Sequence, residues 1–302
     1  MSNLYWPIYK NLEKEVIELS NLVHFDDKQL SVYSVKISEL LIRCAVEIES
    51  ISKDLYLSEG GVLPSDRDLY FDTDCLQALE DKWRISKKVV ILSSPNFHFV
   101  QEKNRILTPL YKSYKRSTSG ADWKKAYQAV KHERVQSLSK GNIGNLLRAL
   151  GALFILNIYF SNEVYDLEKD SSATSFPVSC GSELFSIKFH KWSGNDGQGS
   201  YQRRADFDEC VYLSKWKTQA ELDMEKATAE MQRSNFEYAF RHPKMLAWLQ
   251  NNKIEDYKGH NLLWDVLGLD DYKKMLSQSS VLLNDVSKSI EYEAIVNKQN
   301  IR

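Results

Sequence analysis

Cysteine is scarce in this chain and scattered. Cys44, Cys75, Cys180 and Cys210 include no CxxC pair, so neither a disulfide framework nor a zinc knuckle is indicated. Buried, reduced thiols are the expectation. An excess of either charge is lacking too. The formal net charge is −1, which excludes a globally basic nucleic-acid binder and restricts any such role to a local patch. Long hydrophobic runs are also missing. The longest apolar stretch, from "ALGALFIL" onwards, follows Arg148 and is broken by Asn157, and it reads as too short to span a bilayer. The start, "MSNLYWPIYKNLEKEV", carries acids and amphipathic periodicity where a signal peptide would show a basic end and an apolar run. A cytoplasmic protein with no membrane association is expected.

What is present is an ordinary globular mixture, 43% hydrophobic and 27% charged over 302 residues, enough for one large domain or two modest ones. Helical periodicity dominates: Leu4, Ile8, Leu12, Val16 and Leu19 recur at three-to-four spacing. A longer helix is predicted from Asp26–Asp27 to Tyr56, ending at "SEGGVLP". A shorter one covers "TDCLQALEDKWRIS", capped by Thr73 or Asp74. "KKVVILSS" reads as a strand. A helix then carries "YQAVKHERV" until "KGN" breaks it, and an apolar helix runs from Asn142 to Phe160. Beyond Asp170, "ELFSIKFHKW" and "FDECVYLSKWKT" look like strands joined by a hairpin through "SGNDGQGSYQRRAD". A polar helix from Gln219 to Phe240 follows, then shorter helices, then a last helix to near Val296. The fold class expected is mostly α: a helical bundle with a small β-hairpin or sheet element and a helical C-terminal region. The simplest partition is a helical domain over 1–168 and a second region over 169–302. The strands after 170 could instead pair with "KKVVILSS" and make the chain continuous.

The segment "YQAVKHERV" concentrates chemistry. On a helix, residues three and four apart share a face, so Tyr127, Lys131 and Arg134 stack in one row and Gln128 and His132 in the next. Trp123, Ala126 and Val130 are left for the core. One imidazole, two permanent cations, an amide and a phenol make a strip suited to cleaving RNA. An imidazole can take the 2′-hydroxyl proton or protonate the leaving 5′-oxygen. Lys131 and Arg134 can meet the charge on the phosphoryl oxygens. The scheme needs neither metal nor cofactor, and Asp122 and Glu133 form no ligand-like cluster with His132. His190, His242 and His260 lack ligand spacing. The plain alternative is a solvated helix face.

The succession of "KISELLIRCAVEIESISKDLY", "DWKKAYQAVKHERV" and "IGNLLRALGALFILNIYF" resembles the HEPN superfamily. Many members of those helical-bundle domains are metal-independent RNases of toxin–antitoxin, abortive-infection and CRISPR-type defence systems. Their active-site pattern is an arginine, a polar residue, a short spacer and a histidine, and members generally dimerise to join two motifs in one cleft. The resemblance covers residues 1 to 165. It puts His132 on the histidine and Gln128 on the polar residue, while Tyr127 stands where the arginine would be. Lys131 or Arg134 would then take the phosphate-binding role. It implies an endoribonuclease in phage defence or a toxin–antitoxin system, working as a homodimer with a possible antitoxin or defence-system partner protein. The alternative is a non-catalytic RNA- or protein-binding adaptor of the same architecture.

Three neighbouring features add expectations. Glu47 or Glu49 could stand behind the His132 imidazole, or Arg43 and Glu47 could simply pair at i, i+4. Residues 111 to 125, "YKSYKRSTSGADWKK", alternate aromatics with five basic side chains and suit an RNA-docking edge. Gly144, Ala149, Gly151 and Ala152 permit close backbone approach, either inside the bundle or at a dimer seam.

Overall fold

Helix α1 (Tyr5–Ser20) buries Tyr9, Leu12, Val16 and Leu19 on one face, as its apolar spacing requires. The second helix starts later than its periodicity suggested. In the computed structural model, which describes residues 3–196 and 200–301, α2 spans Val35–Ser58 because Ser34 caps it, accepting from the Ile37 amide at 3.1 Å. Asp26 accepts instead from the Lys28 and Gln29 amides, and Asp27 from those of Val100 and Gln101. Such local bonds compete with helix, and strand β1 (Phe25–Asp26) forms there.

The helix expected over "TDCLQALEDKWRIS" is divided. A π-helical turn covers Phe71–Leu76, so Thr73 and Asp74 lie inside it rather than capping it, and α3 (Gln77–Trp83) ends at Arg84 in the left-handed region. Strands β2 (Val90–Leu92) and β3 (Phe97–His98), helix α4 (Glu102–Arg105) and strand β4 (Ile106–Leu107) follow. β3 pairs in parallel with β1, and β2 antiparallel with β4. Next come α5 (Asp122–His132), α6 (Arg134–Ser137) and α7 (Ile143–Ser161), the last capped by Asn142 accepting from the Asn145 amide at 3.0 Å.

Helix α7 is the centre of the core. It is long and apolar enough to cross a membrane by length and composition, which corrects the reading of this stretch as too short, yet most of it is buried within the fold. Helices α1, α2 and α5 all pack on it. Gly151 is small for a reason: a Cβ there would sit 3.2 Å from Val90 Cγ2 and 3.6 Å from the Phe185 ring, so the β-sheet can lie directly on the helix. A Cβ at Gly144 would meet the Leu30 carbonyl at 3.3 Å. Both glycines therefore serve packing within this chain.

Strands β5 (Tyr165–Glu168), β6 (Phe185–Ile187), β7 (Phe189–His190) and β8 (Tyr212–Trp216) follow. β6 pairs antiparallel with β2, the alternative pairing that the "KKVVILSS" strand offered. β7 and β8 pair in parallel, so the expected hairpin is not formed. The "SGNDGQGS" turn includes residues 197–199, outside the described residues.

Contacts divide the chain into two units: Met1–Tyr165, Ser172–Ser214 and Ala294–Arg302 form the first, and Asp166–Ser171 and Lys215–Glu293 the second. A single cut after 168 does not follow these units, because later segments return to the first. Asn297 donates from its side chain to the carbonyls of Phe207 and Cys210 at 2.7 and 3.1 Å, and Tyr159 donates to the Asn297 carbonyl at 2.7 Å. The second unit holds α8 (Thr218–Arg241), α9 (Pro243–Asn251), α10 (Leu262–Leu267) and α11 (Leu269–Ser289) around Ala239, Leu267 and Met275. The helix expected to reach Val296 gives way to strand β9 (Tyr292–Val296), where Ala294 and Val296 are buried in period two. The chain is thus mostly helical, with small sheets and a helical C-terminal region.

Candidate functional site

Helix α5 is fixed by its apolar face. Trp123, Ala126 and Val130 are buried, and the Trp123 indole donates to the Pro109 carbonyl at 2.8 Å. Tyr127 joins them. It is only 1% exposed, so it lies beneath the polar strip instead of in it. Its hydroxyl accepts from Lys131 Nζ at 3.1 Å, and that ammonium lies 5.3 Å from the ring centroid. Burial raises the Tyr127 phenol above its ordinary value; Lys131 opposes this and Glu49 on α2 reinforces it. The bond to Tyr127 in turn raises Lys131.

His132 is the last residue of α5 and is exposed. Glu133, at φ −134° and ψ 53°, breaks the helix, and Arg134 opens α6. The row expected of Tyr127, Lys131 and Arg134 on one continuous helix is therefore interrupted, because the i, i+3 relation holds only while the helix does. Among the described residues the side chains of His132 and Arg134 have no hydrogen-bond or ion-pair partner. The imidazole, the Lys131 ammonium and the Gln128 amide are all exposed on α5, and Arg134 is exposed just beyond.

The carboxylates expected behind His132 act elsewhere. Glu49 acts on Tyr127 and Lys131. Arg43 forms its ion pair with Glu15 of α1, not with Glu47. Burial raises the Glu47 carboxyl, with Arg43 opposing.

Gln128 lines a cleft of about 560 Å³ together with Glu49, Lys53, Tyr70, Arg116 and Lys124. Its floor is a network that sequence reasoning missed. Asp72, 5% exposed, lies in the π-helical turn, and Lys124 on α5 is likewise 5% exposed. Lys124 Nζ donates to Asp72 Oδ2 at 3.0 Å, to the Ser113 carbonyl at 2.9 Å and to the Lys115 carbonyl. Arg116 donates through Nε to both Asp72 oxygens at 3.0 and 3.1 Å, and its guanidinium stacks 3.9 Å from the Tyr70 centroid. Burial disfavours the Asp72 charge, but Arg116, the Thr73 amide and Lys124 outweigh it and hold the carboxyl below its ordinary value. Burial pushes Lys124 down against the pull of Asp72. A π-turn widens the helix locally. Here it starts at Phe71, between Tyr70 at the cleft wall and Asp72 at its floor.

Segment 111–125 is therefore less free than a docking loop. Of its five basic side chains, Lys124 is internal and Arg116 is tied to Asp72. Lys125 pairs with Asp122 at 2.7 Å, and Lys112 and Lys115 lie over the rings of Tyr111 and Tyr114. No signal in the sequence joined Asp72 to Arg116 and Lys124, because the contact is long-range. Among the described residues no group of three His, Cys, Asp or Glu side chains could hold a metal ion. Comparison of the chain with models of protein families, with curated proteins and with solved structures finds no match.

Proposed function

We propose that the exposed end of α5 and the cleft beside it form an RNA site, and that the protein is a HEPN-like, metal-independent endoribonuclease. The observation that carries this reading is the exposed His132 imidazole, on one helix with the Lys131 ammonium and the Gln128 amide, with Arg134 two residues further on, past Glu133. His132 would act as general acid or base, because an imidazole can both accept and donate a proton through its ring nitrogens. Lys131, steadied by Tyr127, and Arg134 would meet the phosphoryl oxygens. Gln128 and Arg116 would hold the strand where it enters the cleft. Two copies facing each other across α5 would complete the site, as in the family it resembles, with work in phage defence or a toxin–antitoxin system and a partner protein to restrain it.

One observation favours the second reading, a non-catalytic RNA- or protein-binding adaptor. Tyr127 is buried where the family's arginine would stand, which removes one phosphate ligand from the helix. Labelled RNA incubated in EDTA with the protein and with His132→Ala separates the two. Cleavage that disappears in the variant supports the endoribonuclease. Intact RNA with both proteins, bound equally well, leaves the adaptor.

A further inference from the structure

At the opposite end of α5 lies a second cavity, of about 210 Å³. Lys103, Lys112, Lys125 and Arg148 line it, against a single acid, Asp122. A chain of net charge −1 has no compositional reason to gather four cations, and like charges brought together repel. Their local compensation is thin. Lys125 pairs with Asp122. Among the described residues, Lys103 and Lys112 have no carboxylate within ion-pairing distance. Arg148 on α7 is half-buried and donates to the Gly144 carbonyl at 3.0 Å, one of five guanidinium N–H groups. Burial lowers it below its ordinary value, with only Asp122 opposing.

The backbone adds to this field. Ala121, at the start of α5, offers no side-chain cap, and the first intrahelical bond runs from the Lys125 amide to the Ala121 carbonyl. The amides of Asp122, Trp123 and Lys124 have no acceptor among the described residues, so the positive end of the helix opens on the cavity. Lys112 adopts φ 57°, a conformation that non-glycine residues hold only where their surroundings impose it.

We propose that this cavity is a phosphate-binding subsite. The fixed cations and free amides match the acceptor oxygens of a phosphate group. The volume is below the roughly 300–1,000 Å³ of sites that enclose a whole small molecule, so it takes the phosphate and leaves the rest of the ligand outside. Helix α5 has 11 residues, which sets the subsite about 16 Å from His132. On the RNA reading above, it holds a phosphate of the strand whose scissile bond lies at His132. The phosphate chemistry itself does not depend on that reading.

Phosphorus NMR of inorganic phosphate, titrated with the full-length protein, tests the subsite directly. Lys103→Gln and Lys112→Gln should each weaken phosphate binding about tenfold with circular dichroism unchanged. An uncleavable 2′-O-methyl RNA, with and without a 5′-phosphate, identifies the source. If both oligonucleotides lose affinity in the lysine variants, the subsite takes a phosphodiester. If only the phosphorylated one does, it takes a terminal phosphate. If inorganic phosphate does not bind, or binds equally to the wild type and both lysine variants, the subsite is refuted. Phosphate binding without RNA cleavage refutes the endoribonuclease and not the subsite.

Discussion

Lys124 and Asp72 face each other at 3.0 Å with both side chains almost wholly out of water. An ion pair so enclosed survives only when further hydrogen bonds complete it, and here the Ser113 and Lys115 carbonyls and Arg116 do so. Breaking it from one side should be costly. Asp72→Asn is expected to lower the unfolding free energy by about 3 kcal/mol, since it strands the Lys124 charge. Asp72→Asn with Lys124→Met should recover part of that loss. Urea titration of the three proteins measures both effects. A single variant within about 0.5 kcal/mol of wild type would show that the network does not hold the cleft floor.

The phenol of Tyr127 supplies a second prediction. Tyr127→Phe removes the hydroxyl that anchors Lys131 while keeping the buried ring, at an expected cost of about 1 kcal/mol in stability. If Tyr127 positions Lys131 for chemistry, RNA cleavage should slow more than RNA binding weakens, because the cation remains but is no longer held. Equal losses in both would assign Tyr127 to packing alone. His132→Ala, by contrast, should leave stability within about 0.5 kcal/mol, as it removes an exposed side chain without partners.

These two sites differ in how far the sequence revealed them. The burial of Trp123, Ala126 and Val130 follows from periodicity on a single helix, and so does the exposure of Gln128, Lys131 and His132. Tyr127 was misplaced because a phenol satisfies both faces: its ring packs inside while its hydroxyl reaches a cation at the surface. Arg134 was misplaced because a helix end at Glu133 carries no glycine or proline to announce it. Asp72, Arg116 and Lys124 were invisible as a group, since period and capping report only local order. The same limit explains β6, whose partner β2 lies far away in the chain, and the parallel pairing of β7 with β8.

His190 yields a pH dependence. Its Nε2 accepts from the Arg204 amide at 3.2 Å and its Nδ1 bonds the Tyr201 hydroxyl at 2.9 Å, which itself donates to the Ser214 carbonyl at 3.0 Å. This fixes a neutral ring with the proton on Nδ1. Burial lowers its pKa; Asp206 at 3.7 Å opposes and Arg204 adds to the lowering. As pH falls through about 6.5 the unfolded chain takes up this proton while the folded one still excludes it. The contribution to stability is therefore complete above that pH and is lost below it. Stability should drop between pH 7.5 and 5, and His190→Gln should flatten that slope. An unchanged slope in the variant would assign the acid sensitivity to other groups.

The molecule should open first in its second unit. Helix α8 buries only Ala227, Asn235 and Ala239, and α11 only Met275 and Ser279, whereas α7 is buried along nearly its whole length. The free energy of local opening follows the apolar contacts that must be broken. Amides of α8 and α11 should exchange at least about tenfold faster than those of α7, with little dependence on low urea concentrations, because their opening exposes little surface. Amides of α7 should exchange only through global unfolding, with a slope equal to that of the whole chain. Equal protection in α7 and α11, measured by hydrogen exchange with mass spectrometry, would mean that the second unit unfolds together with the first.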